Sequence, residues 1–295
     1  MANRDRSVCG RRPHPALVLA TITIGLVTSA CGAGAGSAPA AGPHPASGGA
    51  TPLASTRPAA AHSTGPGGGP APAAAKPLAG KIVGVDPGHN GRNHTDPAYI
   101  NHLIWNGREW ETCNTTGTET DSGYTEARFN FRVATFLRAD LRRDGARVVM
   151  TRTNNHGVGP CVNRRARIID RAHANVAIDI HADGGPPGGR GFAVLEPVSD
   201  GPNDKVIGSS ERFGRDVRRA LLSWTSMPES TYDGVHGIEP RDNLAGLNLT
   251  SVPEVLIECG NMRNATDARL LTSARFQRRI ARALEAAIIR FLGQQ

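Results

Sequence analysis

The sequence predicts an α/β fold: a single domain with a twisted, mostly parallel sheet flanked by helices on both faces, behind a front end that does not fold. Three observations carry this. Short β-branched runs recur along residues 80–295, stretches of helical apolar period separate them, and residues 31–79 are rich in Ala, Gly, Pro and Ser with almost no large apolar side chains. Alternating strands and helices favour a parallel sheet buried on both faces. A segment like 31–79 cannot bury enough surface to offset its ordering entropy, so it reads as a disordered linker.

The elements follow in order. In residues 1–30, Arg4, Arg6, Arg11 and Arg12 precede an apolar stretch over 16–27 that ends in Thr28-Ser29-Ala30. A basic start, a short apolar run and small residues make an export signal. The run is short for a membrane span, which needs about 20 residues; an uncleaved anchor is the alternative. Cys31 follows directly and resembles a lipoprotein cleavage site, although Thr28 stands where Leu is usual. A lipid on Cys31 would tether the protein to a membrane. Strands are expected over 81–86, 146–151, 176–180, 191–195 and 253–258. Helices are expected over 126–143 (Phe129, Val133, Leu137 and Leu141 on one face), 163–174 (Ala166, Ile169), 210–222 (Phe213, Val217, Leu221) and 276–292 (Ile280, Leu284, Ile288, Phe291). Residues 80–295 are enough for one domain with a substantial core.

Charge placement matters more than its sum. Lys+Arg number 34 against 26 Asp+Glu, a net of +8. Six of those basic residues and one acid precede residue 80, which leaves the folded part at +3. The excess that would suggest nucleic acid therefore lies mostly in the signal and linker, and no nucleic-acid partner is expected.

Export permits disulfides. Cys259 sits in a strongly apolar strand and reads as a buried free thiol. Cys113 and Cys161 lie in Gly-, Thr- and Asn-rich loops and are the better candidate pair, with free thiols the alternative. Such a bridge stabilises by about 3–4 kcal/mol in the chain-entropy account.

In parallel sheets, ligands bind at the carboxyl ends of the strands. Three such ends carry ionisable groups: Asp86-Pro87-Gly88-His89, His181-Ala182-Asp183 and Ile257-Glu258-Cys259-Gly260. Glu126 opens the first long helix. Each alone has a plain reading: His89 as a surface residue after a turn, Glu126 as a carboxylate favoured by the helix dipole. Glu258 between Ile257 and Cys259 is harder to dismiss, because a buried carboxylate is costly without a partner. Taken together, two imidazoles and a carboxylate form a known catalytic zinc set with one open position. A further Glu can move the proton.

The motifs Val85-Asp86-Pro87-Gly88-His89, Ile180-His181-Ala182-Asp183 and Val255-Leu256-Ile257-Glu258-Cys259-Gly260, with Asn264 and Asp267 following, resemble the zinc-dependent N-acetylmuramoyl-L-alanine amidases of type 3. Cys113-Asn114-Thr115-Thr116-Gly117, Asp121-Ser122-Gly123-Tyr124-Thr125-Glu126 and Gly246-Leu247-Asn248-Leu249 resemble the mycobacterial and actinobacterial branch. The resemblance implies one Zn2+ held by His89, Glu126 and His181, a metal-bound water as nucleophile, Glu258 as general acid/base, and a Cys113–Cys161 disulfide. It implies cleavage of the amide between N-acetylmuramic acid and L-Ala of peptidoglycan or muropeptides, in wall remodelling, turnover or cell separation. The protein is expected to be a monomer outside the cytoplasm, in the periplasm or cell wall or secreted, touching a membrane only through its signal or a lipid on Cys31. Two departures stand out. Asp179 occupies a position where the family usually has Ser, and strand alternation points it the same way as His181, where it either orients a ligand from behind or perturbs the site. Asn261-Met262 replaces the commoner Phe-Leu. A non-catalytic wall-binding or regulatory domain on the same fold and a zinc peptidase acting on stem peptides are the competing readings. The segment 101–120, with Trp105 and Trp110, reads either as a loop at the cleft rim or as a plain surface loop.

Overall fold

A computed structural model describes residues 75–294. The export signal, Cys31 and residues 31–74 of the linker lie outside the described residues. The order of elements is β1 (Ile82–Pro87), α1 (Pro97–Ile100), β2 (Leu103–Trp105), β3 (Trp110–Thr112), α2 (Glu126–Arg143), β4 (Arg147–Met150), α3 (Val162–Arg171), β5 (Val176–Asp183), β6 (Ala193–Pro197), α4 (Ile207–Trp224), β7 (Ile238–Arg241), α5 (Ala245–Leu249), β8 (Glu254–Asn261), α6 (Ala265–Leu271) and α7 (Ala274–Leu292).

The strands form a six-stranded sheet in the order β4-β1-β5-β8-β6-β7, and β2 pairs only with β3. β4, β1, β5 and β8 run parallel, β6 runs antiparallel to β8, and β7 runs parallel to β6. The fold is thus α/β with a mostly parallel sheet.

Alternation along the strands separates two faces. Val83, Val85, Val176, Ile178, Ile180, Val255, Ile257 and Cys259 share one buried cluster with Phe129, Val133, Leu137 and Leu141 of α2, Phe213 and Val217 of α4 and Ile280, Leu284 and Ile288 of α7. Burying side chains of this size stabilises by about 1.5–3 kcal/mol each. The opposite face is thinner. Ile169 of α3 meets Ala177 there, and Leu247 of α5 meets Ala193, Leu195 and Leu256.

The folded chain begins slightly earlier than its composition suggests. Leu78 is fully buried and its amide donates to Asp144 O at 2.9 Å. One large apolar residue at the end of an Ala/Pro-rich run carries no period by which to see it. β7 and the β2–β3 hairpin were likewise absent from the expected strands. β7 contains Pro240 and sits at the sheet edge, where proline is tolerated. The disulfide joins Cys113 to Cys161, with Cα atoms 4.5 Å apart. Cys259 is free and buried. Among the described residues no helix is long and apolar enough to cross a membrane.

Candidate metal centre

The carboxyl ends of β1 and β5 meet the first turn of α2, and this junction gathers three side chains that could hold a metal ion. Nε2 of His89 lies 3.1 Å from one Glu126 oxygen, and Nδ1 of His181 lies 2.8 Å from the other. The two imidazoles stand edge to face, with centroids 4.8 Å apart. Candidate ligand atoms of all three residues fall within 4.8 Å of one another.

Each ring is held from behind. His89 Nδ1 sits 3.1 Å from Thr115 O, an acceptor for a proton on Nδ1, and its Nε2 is the nitrogen that faces Glu126. His181 Nε2 lies 3.4 Å from Asp179 Oδ1, so Nδ1 is the nitrogen that faces inward. Glu126 also accepts from the amides of Thr118 (3.0 Å) and Ala182 (3.3 Å) and from Asn130 Nδ2 (3.3 Å). The backbone makes room for the rings. A Cβ on Gly88 would fall 2.1 Å from His181 Nε2, and one on Gly117 2.7 Å from Glu126 Oε2 and 2.8 Å from His89 Cδ2. Those positions accept only glycine.

His89 has φ of 56°, left-handed backbone that costs a non-glycine residue about 1–3 kcal/mol. Its surroundings over-determine it. Arg165, buried in α3, donates to Asp86, to Pro87 O and to His89 O, and Arg152 donates to Pro87 O and Gly88 O. Thr115, Arg165, Arg152 and Asn130 escaped the sequence reading. Arg165 is one of three Arg in Arg164-Arg165-Ala166-Arg167, and nothing local marks it as the one pointing inward.

Glu258 pairs in register with His181 on the adjacent strand. Its Oε2 is buried and has no hydrogen-bond partner among the described residues. Burial pushes its pKa well up; His181 opposes this, while Glu126, Asp183 and Asp179 add to it. Glu126 behaves oppositely. Burial would raise it, but His89 and His181 hold it well below the usual carboxylate range. His181 is drawn well above its ordinary value despite burial, by Asp179 and then Glu126. The site is therefore an electrostatic slot for positive charge. Two imidazoles and a carboxylate, packed this closely and braced from behind, fit a tetrahedral zinc with one position left open. A second His/Cys group, His102 with Cys113 and Cys161, is occupied by the disulfide.

The ligand trio faces an open cleft lined by Thr115, Gly117, Thr118, Asp183, Leu244 and Glu258. The Asn261-Met262 departure has a structural account. Asn261 Nδ2 donates to Pro186 O and Gly189 O, pinning the chain that leaves β5, and Met262 is fully buried. Asn264 caps α6, and Asp267 receives the amides of Gly191 and Asn261.

Comparison with known proteins places this architecture. The profile of the type 3 family described as N-acetylmuramoyl-L-alanine amidase matches residues 83–290. The N-acetylmuramoyl-L-alanine amidase Rv3717 of Mycobacterium tuberculosis is 39% identical over 220 residues, 74% of this chain and 89% of that one. The crystal structure of the N-acetylmuramyl-L-alanine amidase Ami1 from Mycobacterium smegmatis is 40% identical, with a TM-score of 0.70 over 74% of this chain and 99% of its own. The apo form of Ami1 from Mycobacterium abscessus is 39% identical, with a TM-score of 0.69 over 73% of this chain and all of its own. The chain therefore belongs to the type 3 N-acetylmuramoyl-L-alanine amidase family, in its actinobacterial branch.

Proposed function

We propose that this protein is a zinc-dependent amidase that releases stem peptides from peptidoglycan or its fragments, by cleaving the amide between N-acetylmuramic acid and L-Ala. The observation that carries the reading is the pairing of a braced His89–Glu126–His181 trio with a half-buried Glu258 one strand away, whose Oε2 has no hydrogen-bond partner among the described residues.

His89 Nε2, His181 Nδ1 and a Glu126 oxygen would hold the ion. Zinc, when bound, acidifies a water at its open position and polarises the scissile carbonyl. The residues of the chain do the rest. Glu258, with its elevated pKa, takes a proton from the attacking water and returns it to the leaving nitrogen, which departs as the free amine of L-Ala. Asp179 orients His181 through Nε2 and strengthens it as a ligand. Thr115 does the same for His89 through a backbone carbonyl. The groove beside the trio, lined among others by Asn90, His94, Thr118, Glu119, Asp121 and Arg263, offers hydrogen-bonding groups to the amides of a peptide. Residues 1–30 supply export, which brings the enzyme to the wall.

Digesting purified muropeptides and weighing the products tests the reading. A free stem peptide with an L-Ala amine, paired with an intact lactyl carboxylate, is the expected result. Release of a terminal amino acid alone would assign a peptidase instead. An absence of products with a zinc-loaded, folded protein would favour a binding domain.

A further inference from the structure

The β2–β3 hairpin presents two faces of opposite character. Its inner face carries Ile104, 7% exposed against Cys113, Cys161 and Ala245, and Glu111, which accepts from the Ala245 amide at 3.3 Å. Its outer face carries Leu103, Trp105, Trp110 and Thr112, which register pairs as Leu103 with Thr112 and Trp105 with Trp110. Trp105 is 47% exposed, Trp110 64% and Leu103 60%, and the indoles meet edge to face with centroids 5.7 Å apart. Of the six exposed large apolar side chains among the described residues, three share this one small face. An isolated two-stranded ribbon is marginally stable in water, and this one is fastened at three places. Arg108 in its turn pairs with Asp200 at 3.2 Å and Asp242 at 3.5 Å, Glu111 holds its middle, and the disulfide holds its exit. Gly107, with φ of 108°, makes the turn that aims Arg108 at these acids.

The same ribbon borders a second cavity beside the cleft. Its Thr112 and the inner-face Glu111 line a space of about 170 Å3 that reaches His89 and His181 and is also walled by Asp86, Arg165, Asp179, Leu244 and Leu256. A contiguous apolar patch kept exposed on a braced element marks a binding surface. Indole faces are electron-rich planes, suited to the C–H-rich face of a sugar ring. We propose that the outer face of the hairpin is a saccharide-stacking subsite, on which the glycan of the substrate rests while its lactyl amide reaches the metal centre. This inference rests on the reading of the cleft as one for peptidoglycan and names the part of that substrate the hairpin holds.

The chain has three Trp, so Trp224→Phe leaves fluorescence that reports only Trp105 and Trp110. Titration of that zinc-loaded protein with a tetrasaccharide of β-1,4-linked N-acetylglucosamine, which carries no amide-linked peptide, is expected to give a saturable change. Calorimetry of the otherwise unaltered chain is expected to show at least a tenfold loss of tetrasaccharide affinity in Trp105→Ala/Trp110→Ala, with an unchanged melting temperature. Trp224→Ala is expected to bind normally. Should the double variant fold poorly, Trp110→Ala alone, at the more exposed ring, is expected to weaken binding severalfold. The proposal is overturned if the folded variants bind the tetrasaccharide as tightly as the parent, or if the parent gives no saturable change. It is equally overturned if the Trp-dependent signal arises only with anionic phospholipid vesicles or only from dimerisation. Because the tetrasaccharide needs no turnover, loss of the amidase reading leaves this outcome readable. Normal stem-peptide release with no tetrasaccharide binding would remove the subsite alone.

Discussion

The two faces of the central sheet are built from the same strands and do opposite work. Toward α2, α4 and α7, β1, β5 and β8 show Val, Ile and Cys and almost nothing polar. Toward α3 and α5 the same strands show Asp86, Asp179, His181, Glu254 and Glu258. Glu254 is buried and pushed well above its ordinary pKa, first by burial and then by Asp179 and Asp86. The first face stabilises. The second collects carboxylates that a folded protein would otherwise avoid, and it does so along the strands that lead to the candidate metal centre. Glu126 belongs to the stabilising layer, yet from the first turn of α2 it reaches the strand ends, where both faces are in range. Stability and chemistry are thus divided by strand alternation, and substitutions on the two faces should separate them.

Four substitutions or treatments test that division. The largest effect is expected from stripping zinc with a chelator. Turnover on muropeptides should disappear and return on adding Zn2+ back, while far-UV circular dichroism shows the sheet and helices intact, because the apolar face does not depend on the ion. On that face, Ile178→Ala should cost about 2–5 kcal/mol in a denaturant titration and leave zinc content at one per folded chain. Among the groups behind the ligands, Asp179→Ala should weaken zinc about 10–100-fold in a competition with a fluorescent chelator. The melting temperature of the zinc-free protein should not fall, since Asp179 adds to the charge burden on Asp86 and Glu254. The smallest effect concerns Glu196 of β6, 8% exposed and raised from 4.5 to about 7 by burial, with Glu211 adding and Arg215 opposing. A carboxyl raised on folding costs stability as pH rises from about 4.5 through about 7 and costs nothing below. Glu196→Gln should therefore be more stable than the parent by about 1–2 kcal/mol at pH 8 and equal to it at pH 4. A gain of equal size at both pH values would refute the burial account.

The sequence made some of this division readable, and the reasons are physical. Strands with two buried faces appear as β-branched runs, so β1, β4, β5, β6 and β8 are visible without any contact information. The strand-end rule then directs attention to His89, His181 and Glu258. The placement of Glu126 between the two imidazoles is not visible this way, because a Glu in a first helical turn looks the same whether it serves the helix dipole or an ion; its position made it a candidate, and only the family motif assigned it as a ligand. Arg165 and Arg152 are invisible for a related reason. Arginine is the ordinary residue of solvated helix faces in this chain, and the two that turn inward to brace the His89 turn carry no local mark. The β2–β3 hairpin was hidden because its strands span only three residues each and its order comes from Arg108, Glu111 and a disulfide to a distant loop. Asp179 lies between these cases. Alternation alone puts it on the side of His181, but the 3.4 Å approach to Nε2 needs the ring orientation that Glu126 sets.

The central claim is that His89, Glu126 and His181 hold one zinc and that Glu258 moves the proton. Glu258→Gln, measured for bound zinc and for stem-peptide release on the same sample, tests both halves at once. The account predicts one zinc per chain, an unchanged or raised melting temperature, and turnover reduced about 10²–10⁴-fold. Full turnover in a zinc-loaded Glu258→Gln protein, or loss of zinc from it, would contradict the account.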